Sequence, residues 1–234
     1  MIGIIRLAAV AAVAGTGTMA LLGGWAVTTV ENPPPALESG GSYRLEFTIR
    51  QHGRNPIDGL TPRVRVLDAA GSGTLAGIAE LSAGAAGAPG RYAVTVPTPR
   101  ADSVRLVVVS MFGRGRATEL TLPVVPVLRR GAAVPVRSAV ELGRRLFVAK
   151  GCGTCHINGD VPEWTQWNES RGFGPELTGR RLDAAYVRQR LTDPASLPPI
   201  GDGLVRMPNL GLASAEVDAL VSLLSGPEVA AARK

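Results

Sequence analysis

The stretch that most constrains this chain is Cys152-Gly153-Thr154-Cys155-His156. It holds both cysteines of the 234 residues and one of the two histidines. A secreted disulfide scaffold needs more cysteines at wider spacing. A structural zinc site needs four ligands, and the only other imidazole, His52, lies far away in the chain. A thioredoxin-like redox pair expects a βαβ setting and has no role for the following His.

The spacing has a chemical use that these readings lack. Two thiols on one turn of chain can each form a thioether to one of a porphyrin's two vinyl groups. The next residue, His156, then turns its imidazole toward the iron. C-x-x-C-H is the attachment signature of a c-type haem, so one covalent haem c is the expected cofactor. Small Gly153 and Thr154 would let the backbone pass close to the ring edge. Attachment of this kind takes place outside the bacterial cytoplasm.

The start of the chain agrees with export. After Arg6, residues 7–30 carry no charged side chain, long enough for a bilayer-spanning helix of about 20 residues. A cleaved signal peptide is the competing reading, though its apolar region usually runs only about 7–15 residues. The expectation is an anchor over residues 1–30 with the remainder on the extracytoplasmic side.

The net charge of +6 invites a nucleic-acid reading, but its distribution opposes one. Residues 31–136 carry 12 basic against 8 acidic side chains and residues 137–234 carry 12 against 11, with no Lys/Arg run longer than two. A solvated, mildly basic surface accounts for this, and no nucleic-acid partner is expected.

Between the anchor and the haem motif, residues 31–39 with Pro33-Pro34-Pro35 suggest a stiff linker. Tyr43 to Arg50 alternates apolar and polar residues, the period of a half-buried strand. Further strand candidates are Val64–Val66, Tyr92–Val96, Val104–Ser110 and Ala117–Leu122, punctuated by Gly/Pro turns. They predict a small antiparallel, Ig-like β-sandwich over residues 40–125, followed by a second linker at residues 126–136. Phe47 to Gly53, with Gly90-Arg91-Tyr92, resembles YtkA-like or FixH-like extracytoplasmic sandwich domains. That resemblance implies a place beside respiratory or copper-handling machinery. His52 and Met111 are the only copper ligands on offer there, two at most.

From residue 137 the period becomes helical. Val140, Leu142, Leu146 and Phe147 form a stripe, and Gly143 leaves a flat place for a crossing helix. Ser214-Ala215-Glu216 reads as a cap, followed by the apolar face Val217, Leu220, Val221 and Leu224. With C-x-x-C-H, these features resemble a class I cytochrome c domain over residues 137–226, its terminal helices crossed, with a tail at 227–234. The resemblance carries three further roles. Pro175, within Gly174-Pro175-Glu176-Leu177-Thr178-Gly179, would offer its carbonyl to the proximal imidazole. Leu182, Tyr186, Val187 and Leu191 would form a middle helix over the haem, ending before Pro194. Met207, in Met207-Pro208-Asn209-Leu210, would be the sixth ligand opposite His156, with a packed core methionine as the lesser, competing reading. The insertion Ile157–Gly172 is expected to fold over a haem edge. Trp164, Trp167, Arg180 and Arg181 are candidate propionate contacts.

The whole reads as a multidomain chain: an N-terminal transmembrane helix, a small β-sandwich and a C-terminal all-α cytochrome c domain. The expected function is single-electron carriage in a respiratory chain, without catalysis. Partners would be a terminal oxidase or a quinol-oxidising complex at the membrane. The alternatives are a haem enzyme or gas sensor with a displaceable Met207, or metal handling by the sandwich.

Overall fold

The computed structural model describes residues 25–71, 73, 80–113, 119–170, 172–198 and 206–226. Residues 1–24 and 227–234, which include most of the expected anchor and the tail, lie outside the described residues, as do the side chains of residues 165–167.

The strongest alternating stretch becomes the longest strand, β3 (Ser42–Gln51), with Leu45, Phe47 and Ile49 fully buried. It pairs antiparallel with β8 (Arg91–Pro97), setting Phe47 opposite Tyr92 and Leu45 opposite Val94. On its other side lies β1 (Ala26–Val30), and the short strands β4 (Asn55–Pro56) and β7 (Gly84–Ala85) complete this sheet in the order β1-β3-β8-β7, with β4 also on β3. The second sheet runs β2 (Leu37–Glu38), β11 (Val125–Leu128), β9 (Ser103–Val109), β5 (Arg63–Asp68) and β6 (Leu81–Ser82), with β10 (Glu119–Thr121) also on β9. Every pairing is antiparallel except β2 with β11.

Four α-helices follow among the described residues: α1 (Ala139–Ala149), α2 (Pro162–Trp167), α3 (Ala184–Thr192) and α4 (Ser214–Ser225). Ser138 caps α1 by accepting the Glu141 N–H at 3.2 Å, and Asp183 caps α3 by accepting that of Tyr186 at 2.8 Å. Helix α4 starts without a side-chain N-cap, at Ala213 rather than at a capping Ser214. Glu216 instead reaches back to the Ala213 N–H at 3.1 Å. Helices α1 and α4 cross at Gly143, where a Cβ would stand 2.3 Å from the Ala219 carbonyl oxygen.

The expected layout of membrane helix, sandwich and separate all-α domain is corrected by this arrangement. Among the described residues the chain is a mixed, sheet-rich fold of two sheets and four α-helices, and no helix is long and apolar enough to cross a membrane. Residues 26–30, assigned to the anchor, are strand β1. All five are buried, and Val27, Thr28, Thr29 and Val30 are β-branched residues that suit a pleated surface. Both proposed linkers are structured as well. Asn32 donates to the Arg44 carbonyl and accepts the Glu46 N–H, each at 2.8 Å, and Val125–Leu128 is a sheet strand.

The helical segment is not self-contained. One continuous hydrophobic core runs from Phe47 and Leu106 of the sheets to Phe147 and Leu220 of the helices. Polar ties cross the same boundary. Asn168 pairs with both backbone groups of Thr121 on β10, at 2.8 and 3.1 Å, and the Thr29 hydroxyl donates to the Lys150 carbonyl at 3.4 Å. The buried Lys150 ammonium sits 2.8 Å from Glu216 and donates to the Glu31 carbonyl at 3.1 Å. Helices and sheets fold as partners because neither covers its own apolar surface.

Candidate functional site

Helix α1 ends at Lys150, and Gly151 turns the chain with φ of 73°, a left-handed conformation natural to glycine at a helix end. A side chain there would also meet the Thr28 carbonyl of β1, 2.5 Å from its Cβ. The motif follows as a 3-10 turn, Cys152–Thr154. The His156 N–H donates to the Cys152 carbonyl at 3.0 Å, which curls both thiols and the imidazole onto one side.

That side faces a cavity of about 440 Å³. Cys152, Cys155, His156, Pro175 and Met207 all line it, so five of the nine expected site residues meet in one place. Its walls are mostly apolar, with Phe147 from α1, Val187 and Leu191 from α3, and Leu220 from α4. Tyr186 lines it too, so the middle helix covers the cavity and ends at Thr192 before Pro194, but it starts only at Ala184: Leu182, expected within it, lines the cavity from the segment ahead of the Asp183 cap.

His156 Nδ1 lies 3.0 Å from the Pro175 carbonyl oxygen. A carbonyl only accepts, so Nδ1 carries the proton and the lone pair is on Nε2. Burial holds the imidazole below its ordinary pKa, with the Pro175 bond acting the other way. The ring fits only because residue 174 is glycine: a Cβ there would stand 2.5 Å from His156 Cε1. Burial also pushes the Cys152 thiol up to about 12 and that of Cys155 to about 11, so neither is a thiolate at neutral pH. A dithiol poised for disulfide exchange would need the opposite shift.

The other expected contacts fall elsewhere. Trp164 is buried but does not line the cavity. Its indole lies under the motif, where a Cβ on Gly153 would come within 2.2 Å of the ring. Gly153 therefore has to be small for the sake of Trp164. Among the described side chains of the insertion that carries Trp164 none lines the cavity, and Asn168 ties the segment to β10. The Trp167 side chain lies outside the described residues. Arg180 and Arg181 are exposed and away from the cavity, and Arg181 faces Asp160 at 4.0 Å.

Three other arginines, Arg54, Arg190 and Arg206, do line the cavity. Arg190 is spent on the protein itself, donating to the Pro194 and Pro198 carbonyls at 3.3 and 3.0 Å. Helical spacing from Tyr186 could have singled out Arg190. Nothing local in the sequence points to Arg54, which arrives from the β3–β4 turn together with Gly53 and, on β1, Val27.

The metal-binding expectation is corrected in one respect. Among the described residues no group of three or more His, Cys, Asp or Glu could hold a metal ion. His156 and Met207 are a two-residue pair, insufficient to keep a bare ion. Among the described residues His52 belongs to no such group.

No protein-family model matches the chain. No curated protein matches it either. Among solved structures it is similar to the ZirS C-terminal Domain at 13% identity, over 56% of this chain and 85% of that one, with a TM-score of 0.29. A likeness that slight carries no argument.

Proposed function

We propose that the cavity takes one haem, attached through thioethers to Cys152 and Cys155, and that the chain carries single electrons between respiratory partners on the extracytoplasmic side. The observation that carries this reading is the His156 imidazole, held by Pro175 with Nε2 free, on the same cavity as both thiols and Met207. The residues present fit such a group. The cavity falls within the range of about 300–1,000 Å³ usual for ligand pockets, and its lining is predominantly apolar. His156 and Met207 are the residues that would hold the iron, and Arg54 and Arg206 bring positive charge to a ligand with two carboxylates. When bound, a haem supplies a one-electron couple, whose potential a thioether ligand raises relative to a second imidazole.

The chain's own residues do the rest. Pro175 fixes the tautomer and direction of the proximal ring. Phe147, Leu191 and Leu220 exclude water from the cavity. The continuous core behind them keeps the walls from rearranging when the charge of the site changes.

Expression of the full chain alongside a haem-attachment system tests the reading. The expected result is a haem-mass increment that survives denaturation and is lost in the Cys152→Ala, Cys155→Ala double variant. The ferric protein should show a methionine–iron charge-transfer band that Met207→Ala abolishes. A wild-type chain that carries no haem mass after denaturation sinks the proposal.

A further inference from the structure

The cavity has a wall that the helical segment does not supply. Between β3 and β4 the chain reverses through His52, Gly53 and Arg54, and Gly53 and Arg54 line the cavity. His52 and Gly53, the two central residues of the turn, both have positive φ, 52° and 72°, the pattern of a tight hairpin turn. A non-glycine residue in that region is uncommon and persists where its surroundings hold it.

Those surroundings touch both sides of the cavity. The His52 N–H donates to the Trp25 carbonyl at 2.9 Å, and the two rings lie 5.4 Å apart. Trp25 in turn meets Phe173 at 4.8 Å, one residue before the Gly174 that makes room for His156. On the opposite side, buried Gly53 faces Pro208, and a Cβ would stand 3.2 Å from Pro208 Cγ and 3.3 Å from Val27 Cγ2. Pro208 follows Met207 directly. The Met207 loop is otherwise tied by Asn209, which donates to the Thr192 carbonyl at 3.2 Å.

We propose that the β3–β4 turn is a positioning element for Met207: Gly53, packed against Pro208, sets the distal wall of the haem cavity from the sheet side of the molecule. The sheets are then part of the electron-transfer site rather than a spacer beneath it. This rests on the haem reading above. Apart from the charge of Arg54, the turn makes no contact with the cofactor in this scheme. It limits how far the Met207–Pro208 segment can swing, and so how firmly the thioether is held.

Gly59, in the loop between β4 and β5, provides the control. Gly59 has φ of 73°, like Gly53, but a Cβ there would meet nothing within 4 Å. Valine at either position brings the same backbone strain, and only at Gly53 does it press on Pro208. The full-length, haem-loaded chain is compared as wild type, Gly53→Val, Gly59→Val and Pro208→Ala. Readouts are covalent haem content, the methionine–iron band and the midpoint potential. The expected result is unchanged haem content in all four, with loss of the band and a lowered potential in Gly53→Val. Pro208→Ala, which releases the contact from the other side and decides the matter should Gly53→Val not fold, should weaken the band. Gly59→Val should match wild type. An intact band and potential in Gly53→Val, or in Pro208→Ala where Gly53→Val does not fold, overturns the proposal, as does the same loss in Gly59→Val. A wild type with no covalent haem overturns the reading beneath it, and this one with it.

Discussion

A Cβ on Gly174 would stand 2.5 Å from His156 Cε1 and 2.6 Å from Nδ1, closer than unbonded atoms approach. The hydrogen in that place lets the imidazole face the cavity while keeping its bond to Pro175. Gly174→Ala is therefore expected to turn the ring rather than merely crowd it. Overpacking of this sort costs about 1–3 kcal/mol, visible as a lowered urea midpoint with unchanged slope. In the haem-loaded chain the midpoint potential should shift with it, because the proximal ring loses its fixed direction. Unchanged stability and potential would mean that the loop gives way freely. The sequence places Gly174 in the Gly-Pro loop, and the resemblance names only Pro175 as functional. The need for glycine emerges from ring and backbone sharing one space, which no linear spacing records.

Strands whose two faces see different environments announce themselves, and β3 did so through Tyr43 to Arg50. Strand β1 did not. All five of its residues are buried, so it has no polar face, and its Val-Thr-Thr-Val continues an uncharged run without punctuation. β11 was hidden by Pro126, which reads as a linker residue. On the helical side, Gly143 was legible as a crossing point, and a Cβ there would meet the Ala219 carbonyl oxygen at 2.3 Å and Leu223 Cβ at 2.9 Å. Gly143→Ala should push α1 from α4, costing about 3 kcal/mol against the small gain alanine brings to an unconstrained helix. A thermal melt beside wild type checks it. Within the first sheet, Glu46 on β3 bonds Arg44 on its own strand and Arg91 on β8, and these guanidiniums hold its carboxyl below the ordinary value of 4.5. The folded state thus binds the proton less readily than the unfolded chain. Its contribution is fully present above pH 4.5 and lost as the pH falls through the lower folded value. Glu46→Gln should flatten stability across that acid range and leave the slope near neutrality alone, as urea titrations at a series of pH values would read.

For the molecule as a whole, the question is whether sheets and helices can be separated. Lys150 is 4% exposed and meets both Glu216 at the start of α4 and the Glu31 carbonyl just past β1. Removing one partner of a buried pair costs about 3–5 kcal/mol. Glu216 keeps partial access to water, so Lys150→Ala is expected at about 2–4 kcal/mol, toward the lower side of that range. Far-UV dichroism and the fluorescence of Trp25 and Trp164, which lie in the two halves, should still report one shared transition. Two separated transitions would show that the halves fold independently. The contact between Gly151 and Thr28 has another side. Among the described strands β1 stands at the end of its sheet's order, paired with β3, and an uncovered edge is a template on which other chains can stack. The start of the C-x-x-C-H segment lies against that strand, with Gly151 at the Thr28 carbonyl and the Lys150 carbonyl taking the Thr29 hydroxyl. The segment proposed to hold the haem is thus also the guard of the sheet's border, and a chain whose Cys152–His156 segment has not settled into place would expose a sticky edge.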